Sequence, residues 1–207
     1  MGFCDYWHNT SEINVRYHDE EWGVPVHDDR TQFEYLTLEV MQCGLSWQTI
    51  INKRDIMRSC FADFDFSQIA TYDEGDILRI MNTAGMIKSR RKITAIINNA
   101  RCFMQICHDY GSFCNYIWQY SSGKTILYTK HDEGYIPISN GLSAEISRDL
   151  RRRGFKYLGA VTIYSHLQAC GIINDHAKDC PRYAYINSNF PVVRKKRYLE
   201  QQVKYFK

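Results

Sequence analysis

The 207-residue sequence predicts a mostly α-helical single domain. Apolar residues recur at three- and four-residue intervals in several separate stretches, and sustained two-residue alternation of the strand kind is scarce. Neither an internal repeat nor a low-complexity segment interrupts the chain, and its length suits one full hydrophobic core.

Taken in order, the first stripe is Phe33, Leu36, Val40 and Cys43. A shorter one follows through Ile77, Ile80, Met81 and Ala84. Ser89 is placed to cap a long helix that turns Ile93, Ile96, Ile97, Ala100, Phe103 and Met104 inward. Phe113, Tyr116, Ile117 and Tyr120 make a further stripe, and Leu142, Ile146 and Leu150 another. The last runs through Val161, Tyr164, Leu167 and Gln168, with Gly171 placed as a helix stop. Residues 121–141, which hold Gly, Ser, Pro and Asn, read as one long loop.

Composition narrows the class. No apolar run approaches the roughly 20 residues that span a bilayer, and the N-terminus lacks the basic-then-apolar order of a secretion signal. Eight cysteines without such a signal point to a reducing, cytoplasmic setting with free thiols or metal ligands. Cys43, Cys60, Cys102, Cys107, Cys114 and Cys170 sit among apolar neighbours and read as packing residues. Net charge is only +3, yet residues 181–207 carry seven Lys/Arg against one Glu. Basic clusters also occur at Lys53-Arg54, at 88–92 (KSRRK) and at Arg151 to Arg153. Discrete patches on a nearly neutral body suit local phosphate contacts better than a membrane-coating surface.

Two segments carry chemistry. Cys4 and His18 near one end, with His176 and Cys180 near the other, supply the donors of a tetrahedral Cys₂His₂ site. His176 and Cys180 are four apart and would share a helix face. The wide spacing of the first pair leaves a metal site and ordinary reduced side chains equally open. The second segment is NTAGMIKSRRKITAI, residues 82–96. A short helix ends at Asn82-Thr83, a glycine turn follows, and a long helix opens at Ser89 with Lys88, Arg90, Arg91 and Lys92 beside it. Turn amides and a helix N-terminus with that flanking charge suit a phosphate. A third oddity is TLEVMQCGLSW, where the carboxylate of Glu39 sits among Leu38, Val40 and Met41 just before a glycine turn.

In combination, YHDEEWGVP (17–25), LEVMQCGLSW (38–47), AGMIKSRRKI (84–93), RRGFKYLGAVTIYSHLQACGIINDH (152–176) and Cys180 resemble the DNA-3-methyladenine glycosylase I family. The resemblance implies a helix-hairpin-helix DNA glycosylase fold with a zinc site joining the termini. It implies one glycosylase domain over 1–180, with the hairpin at 74–108, and a basic C-terminal tail over 181–207. Carried over by position, Cys4, His18, His176 and Cys180 are implied to hold a structural Zn²⁺. Glu39 is implied to hydrogen-bond a flipped 3-methyladenine, Trp47 to stack on it, and Tyr17 to line the pocket, with Tyr6 or Trp7 capping it. A damaged adenine needs a flat partner and an acceptor for its exocyclic amine. Leu45 is placed to fill the gap the base leaves, and Gly85, Lys88, Arg91 and Lys92 to hold the backbone. The implied partners are double-stranded alkylated DNA and free 3-methyladenine as product, with the enzyme a monomer.

The chain also departs from the pattern. Ile87 replaces the second hairpin glycine, and Ser89 stands where lyase-type relatives carry a nucleophilic lysine, so the enzyme is expected to be monofunctional. Asp109 is displaced from the superfamily's catalytic aspartate position. The alternative is a non-catalytic, damage-sensing zinc protein that binds DNA.

Overall fold

A computed structural model describes residues 4, 7, 10–131 and 135–196. Its centre is a helix with almost no wet face. After α1 (Glu12–Glu20), helix α2 (Asp29–Gln42) starts where the Asp28 side chain accepts from the Thr31 amide, and every residue from Gln32 to Met41 is buried. A helix enclosed on all sides is a core element, so the stripe Phe33, Leu36 and Val40 was only part of its buried surface. Asp29 is also used, accepting from the amides of Phe113 and Cys114 at the start of a later helix. A carboxylate there satisfies donors that the helix itself leaves open.

Short helices α3 (Trp47–Ile51), α4 (Arg54–Cys60) and α5 (Phe66–Ile69) carry the chain to a pair with a longer span. Helix α6 (Glu74–Asn82) opens with a capping box between Asp73 and Asp76, and α7 (Arg90–Tyr110) follows after a turn containing Gly85. Ile93, Ile96, Ile97, Ala100 and Phe103 of α7 are buried as the periodicity predicts. Met104 instead faces solvent, and Ile106 takes the inward place. Ser89 makes no side-chain cap, contrary to expectation. Phe103 stacks on Phe113 of α8 (Phe113–Trp118) at 4.2 Å and packs edge-on against Phe33 of α2, tying three helices together.

The stretch read as one loop holds a strand. Strand β1 (Thr125–Tyr128) pairs in parallel with β2 (Val192–Lys195), in register Thr125↔Val192 through Tyr128↔Lys195. The first part of the basic tail therefore packs on the body, through α11 (Pro181–Asn189) and β2. Between these lie α9 (Gly141–Arg152), capped by Asn140, and α10 (Ala160–Ala169). On α10 Tyr164 and Leu167 point inward while Val161 is exposed, against the predicted stripe.

Gly171 ends α10 with φ +74°, and a Cβ there would lie 2.5 Å from the Pro25 nitrogen and 2.7 Å from the Gly23 oxygen. Only glycine fits that backbone crossing. The crossing seats the 22–26 loop against the end of α10, where Gly23 and Val26 donate to the Ala169 and Cys170 carbonyls. None of the eight cysteines is paired in a disulfide. No helix of the described residues is long and apolar enough to cross a membrane.

Candidate base pocket and metal centre

A cavity of about 200 Å³ is lined by Trp7, Tyr17, Trp22, Glu39, Gln42, Trp47, Ser165 and Gln168. It is smaller than typical drug-sized pockets and suits one heterocycle. Helix α2 delivers Glu39 on its last buried turn. Gly44, with φ +80°, then reverses the chain, and the Leu45 amide closes the turn on the Gln42 carbonyl at 2.6 Å. Ser46 caps α3, which begins at Trp47. The two residues therefore lie on separate helices. Trp47 lies 5.0 Å from the Tyr17 ring at 45°, and Trp7 lies 5.9 Å from Tyr17 and 5.8 Å from Trp22.

The electrostatics of the site rest on Glu39. It is 5% exposed, and no described group donates to its carboxyl. Burial alone pushes that carboxyl up to about 8, because an apolar wall disfavours the charged form. The Trp47 indole nitrogen is likewise buried without a partner. Native interiors rarely leave such groups unsatisfied. Here both edge a space that a ligand can fill.

Trp7, not only an alternative to Tyr6, is one wall of this cavity; Tyr6 lies outside the described residues. Sequence reasoning missed Trp22, Gln42, Ser165 and Gln168. Gln168 had been visible only as the tail of a helical stripe, and Trp22 only as a letter within YHDEEW.

Behind the cavity wall, Cys4, His18, His176 and Cys180 converge, all buried, with their ligand atoms within 4.8 Å of one another. Cys4 Sγ is 3.7 Å from His176 Nδ1, and Cys180 Sγ is 3.6 Å from the same nitrogen and 3.9 Å from His18 Nε2. With metal–sulfur bonds of about 2.3 Å and metal–nitrogen bonds of about 2.0–2.1 Å, tetrahedral S···N edges come to about 3.6 Å. The donors fit a metal ion. The far ring nitrogens are held as such a site requires: His18 Nδ1 is 2.7 Å from an Asp19 carboxylate oxygen, and His176 Nε2 lies 3.1 Å from the Trp22 carbonyl. Hydrogen bonds from Cys4, then His176 and His18, pull the Cys180 thiol far down. The cluster touches the pocket through Trp22, whose ring packs edge-on against His176 at 4.6 Å.

The predicted backbone-contact residues divide. Lys88 and Arg91 are exposed, and no described acid pairs with either. Leu45 is 39% exposed and lies two residues before Trp47 of the pocket. The Gly85 carbonyl accepts from Lys53 Nζ at 2.5 Å, which pins the turn. Lys92 corrects the expectation. It is buried, and its Nζ donates to the Met41 and Cys43 carbonyls at 2.7 and 2.6 Å, so it closes the end of α2 and cannot reach a phosphate. The Lys53-Arg54 cluster is also engaged internally, with Arg54 bonded to Glu21 and Glu34. Asp109 takes hydrogen bonds from Gln105 and Arg153 and does not line the cavity.

Residues 7–183 match the family model described as methyladenine glycosylase. The chain is 38% identical to DNA-3-methyladenine glycosylase 1 of Escherichia coli over 177 residues, which is 86% of this chain and 95% of the relative. Among solved structures it resembles a tyrosine-to-phenylalanine variant of a 3-methyladenine DNA glycosylase I in complex with 3-methyladenine, at TM-score 0.82 and 35% identity, covering 87% of this chain and 97% of that one. A glutamate-to-glutamine variant of the Staphylococcus aureus glycosylase matches at TM-score 0.82 and 34% identity, with the same coverage.

Proposed function

The chain belongs to the methyladenine glycosylase family, and from that premise we infer that it is a DNA-3-methyladenine glycosylase that hydrolyses the N-glycosidic bond of the damaged base. One observation carries the reading: a buried carboxyl on Glu39, with no donor among the described residues, shares a purine-sized cavity with the faces of Tyr17 and Trp47.

The chemistry follows from the lesion. Methylation at N3 gives the purine a positive charge and weakens its bond to the sugar, so the leaving group needs no added proton. The protein has to extract the base, tell it from adenine and let water reach the sugar. Glu39 accepts from the exocyclic amine, and a cationic base supplies the opposite charge that an empty apolar pocket withholds from it. Trp47 and Tyr17 offer flat surfaces on which the base stacks. Leu45 enters the duplex where the nucleotide has swung out. Lys88, Arg91 and the turn at Gly85 hold the backbone of double-stranded DNA, in the manner of a helix-hairpin-helix, with the protein acting as a monomer. Ser89 offers no amine for a Schiff base with the sugar, so strand cleavage is not part of the reaction.

Cys4, His18, His176 and Cys180 would hold Zn²⁺, whose role is to fasten the N-terminal segment to the loop before α11. A closed set of four protein donors leaves no position for catalysis.

Incubation with methylated duplex DNA, followed by chromatography of the released bases, tests this reading. We expect free 3-methyladenine and an intact abasic strand. Retention of every methylated base by DNA that the protein binds would favour a damage-sensing module instead.

A further inference from the structure

The pocket has a second polar wall besides Glu39. Gln168 sits on the last turn of α10 and lines the cavity. Its Nε2 donates to Asp175 Oδ2 at 2.8 Å. Asp175 is 1% exposed and is itself held from two further sides. Tyr164 donates its hydroxyl to Oδ2 at 2.6 Å, and His131 Nδ1 lies 2.7 Å from Oδ1, with His131 only 2% exposed.

This arrangement fixes which way the Gln168 carboxamide faces. An aspartate carboxylate accepts and a carboxamide carries one donor arm and one acceptor arm. With the NH₂ arm on Asp175, the oxygen is left on the other arm, and no described group donates to it. Turning the amide over would set its oxygen against a carboxylate already anchored by Tyr164 and His131. The buried anchor therefore makes Gln168 a one-way reader.

We propose that Gln168 is a specificity-determining residue of the base site: its carboxamide oxygen, locked as an acceptor by Asp175, selects 3-methylpurines with an amine at C6 over those with a carbonyl there. The inference rests on the cavity being the 3-methyladenine site. An adenine-type amine has two hydrogens and satisfies Glu39 and Gln168 together. A guanine-type carbonyl has none, so one acceptor faces another. Glu39 cannot enforce this choice alone, because a carboxyl that carries a proton can donate to a carbonyl. A carboxamide oxygen cannot. Asp175 acts as a positioning residue, through Gln168.

The test uses the full chain and two free bases, 3-methyladenine and 3-methylguanine, titrated calorimetrically into wild type, Gln168→Leu, Gln168→Met and Asp175→Asn. We expect the ratio of the two affinities to fall about tenfold in the Leu and Met variants, mainly through lost 3-methyladenine binding. In Asp175→Asn the amide is free to reverse, so 3-methylguanine should gain affinity, a change that mere loosening of the fold would not produce. An unchanged ratio in both the Leu and Met variants, with the wild type still discriminating, overturns the role of Gln168. Wild-type protein that binds neither free base overturns the pocket assignment on which the inference stands, and so is a separate failure.

Discussion

Glu34 and Glu39 lie five residues apart on the same helix, and each is 5% exposed. Their surroundings are opposite. Glu34 accepts from Arg54 Nε at 2.7 Å and from Arg58 at 2.8 Å, and Arg54 continues to Glu21, closing a network between α1, α2 and α4. Glu39 accepts from no described group and borders a cavity. A buried charge with its partners in place is part of the scaffold. One without them marks a position where the partner comes from outside. The Cys4/His18/His176/Cys180 cluster follows the same logic for metal: donors gathered with outer nitrogens fixed and a centre suited to an ion.

The contrast can be broken in several ways, the largest involving the metal. Removing it with a chelator, or replacing Cys180 by Ser, should lower the melting temperature by about 10 °C or more and free the N-terminal segment to proteolysis. Metal analysis of the purified chain should find one zinc per molecule, lost in the Cys180→Ser variant.

Next come the two glutamates. Glu34→Gln takes one charged partner from Arg54, which keeps Glu21, and one from Arg58, which keeps Asp63, and should destabilise the fold by about 1–2 kcal/mol in urea unfolding at pH 7, leaving the pocket chemistry in place. Glu39→Gln should do the reverse. Because folding raises the Glu39 carboxyl from 4.5 to about 8, the folded state keeps a proton that the unfolded chain has released. Its contribution is fully present below pH 4.5 and is lost as pH rises through about 8. The glutamine variant should therefore match wild type below pH 4.5 and exceed it by about 1–3 kcal/mol above pH 8. Its single-turnover excision should drop by roughly 10- to 100-fold, as expected for loss of one charge-assisted hydrogen bond.

A smaller effect is expected at Lys92. Lys92→Met leaves the Met41 and Cys43 carbonyls without a donor, which should cost about 1–2 kcal/mol of stability. Hydrogen exchange should show the loosening concentrated in the last turn of α2.

Smallest is His166, where the contrast gains a control. Its ring is fully buried with neither nitrogen paired, and burial pulls it down to about 3, yet it does not line the pocket. The unfolded chain takes up a proton there below about pH 6.5, so stability present above that pH drains away as pH falls toward 3. His166→Phe should raise stability by about 1 kcal/mol at pH 7 and flatten that acid slope in thermal melts, with excision unchanged.

Much of this was legible in the sequence where the signal is local. Helical stripes gave α7 and α9, Gly171 gave the end of α10, and the turn after Asn82 was placed within a residue. The four metal donors were visible as residue types, but the resemblance was needed to favour a metal over ordinary side chains, since Cys4 and Cys180 meet only in three dimensions. What stayed hidden depends on long-range pairing. Four residues, TILY, carry too little pattern to reveal a strand whose partner lies beyond residue 190. Lys92 looked like the other lysines of its cluster, and only the approach of α2 makes it an internal donor. Gln168 is unremarkable as a letter; its meaning comes from Asp175 seven residues on, across a bend that periodicity cannot describe.

The most direct measurement of the central claim is the affinity of free 3-methyladenine for wild type and Glu39→Gln, by calorimetry at pH 7. A pocket organised around an unsatisfied carboxyl predicts a loss of about tenfold or more in a variant that melts no earlier than wild type. Equal affinity in the two proteins, or a variant that binds poorly because it has unfolded, would contradict the account.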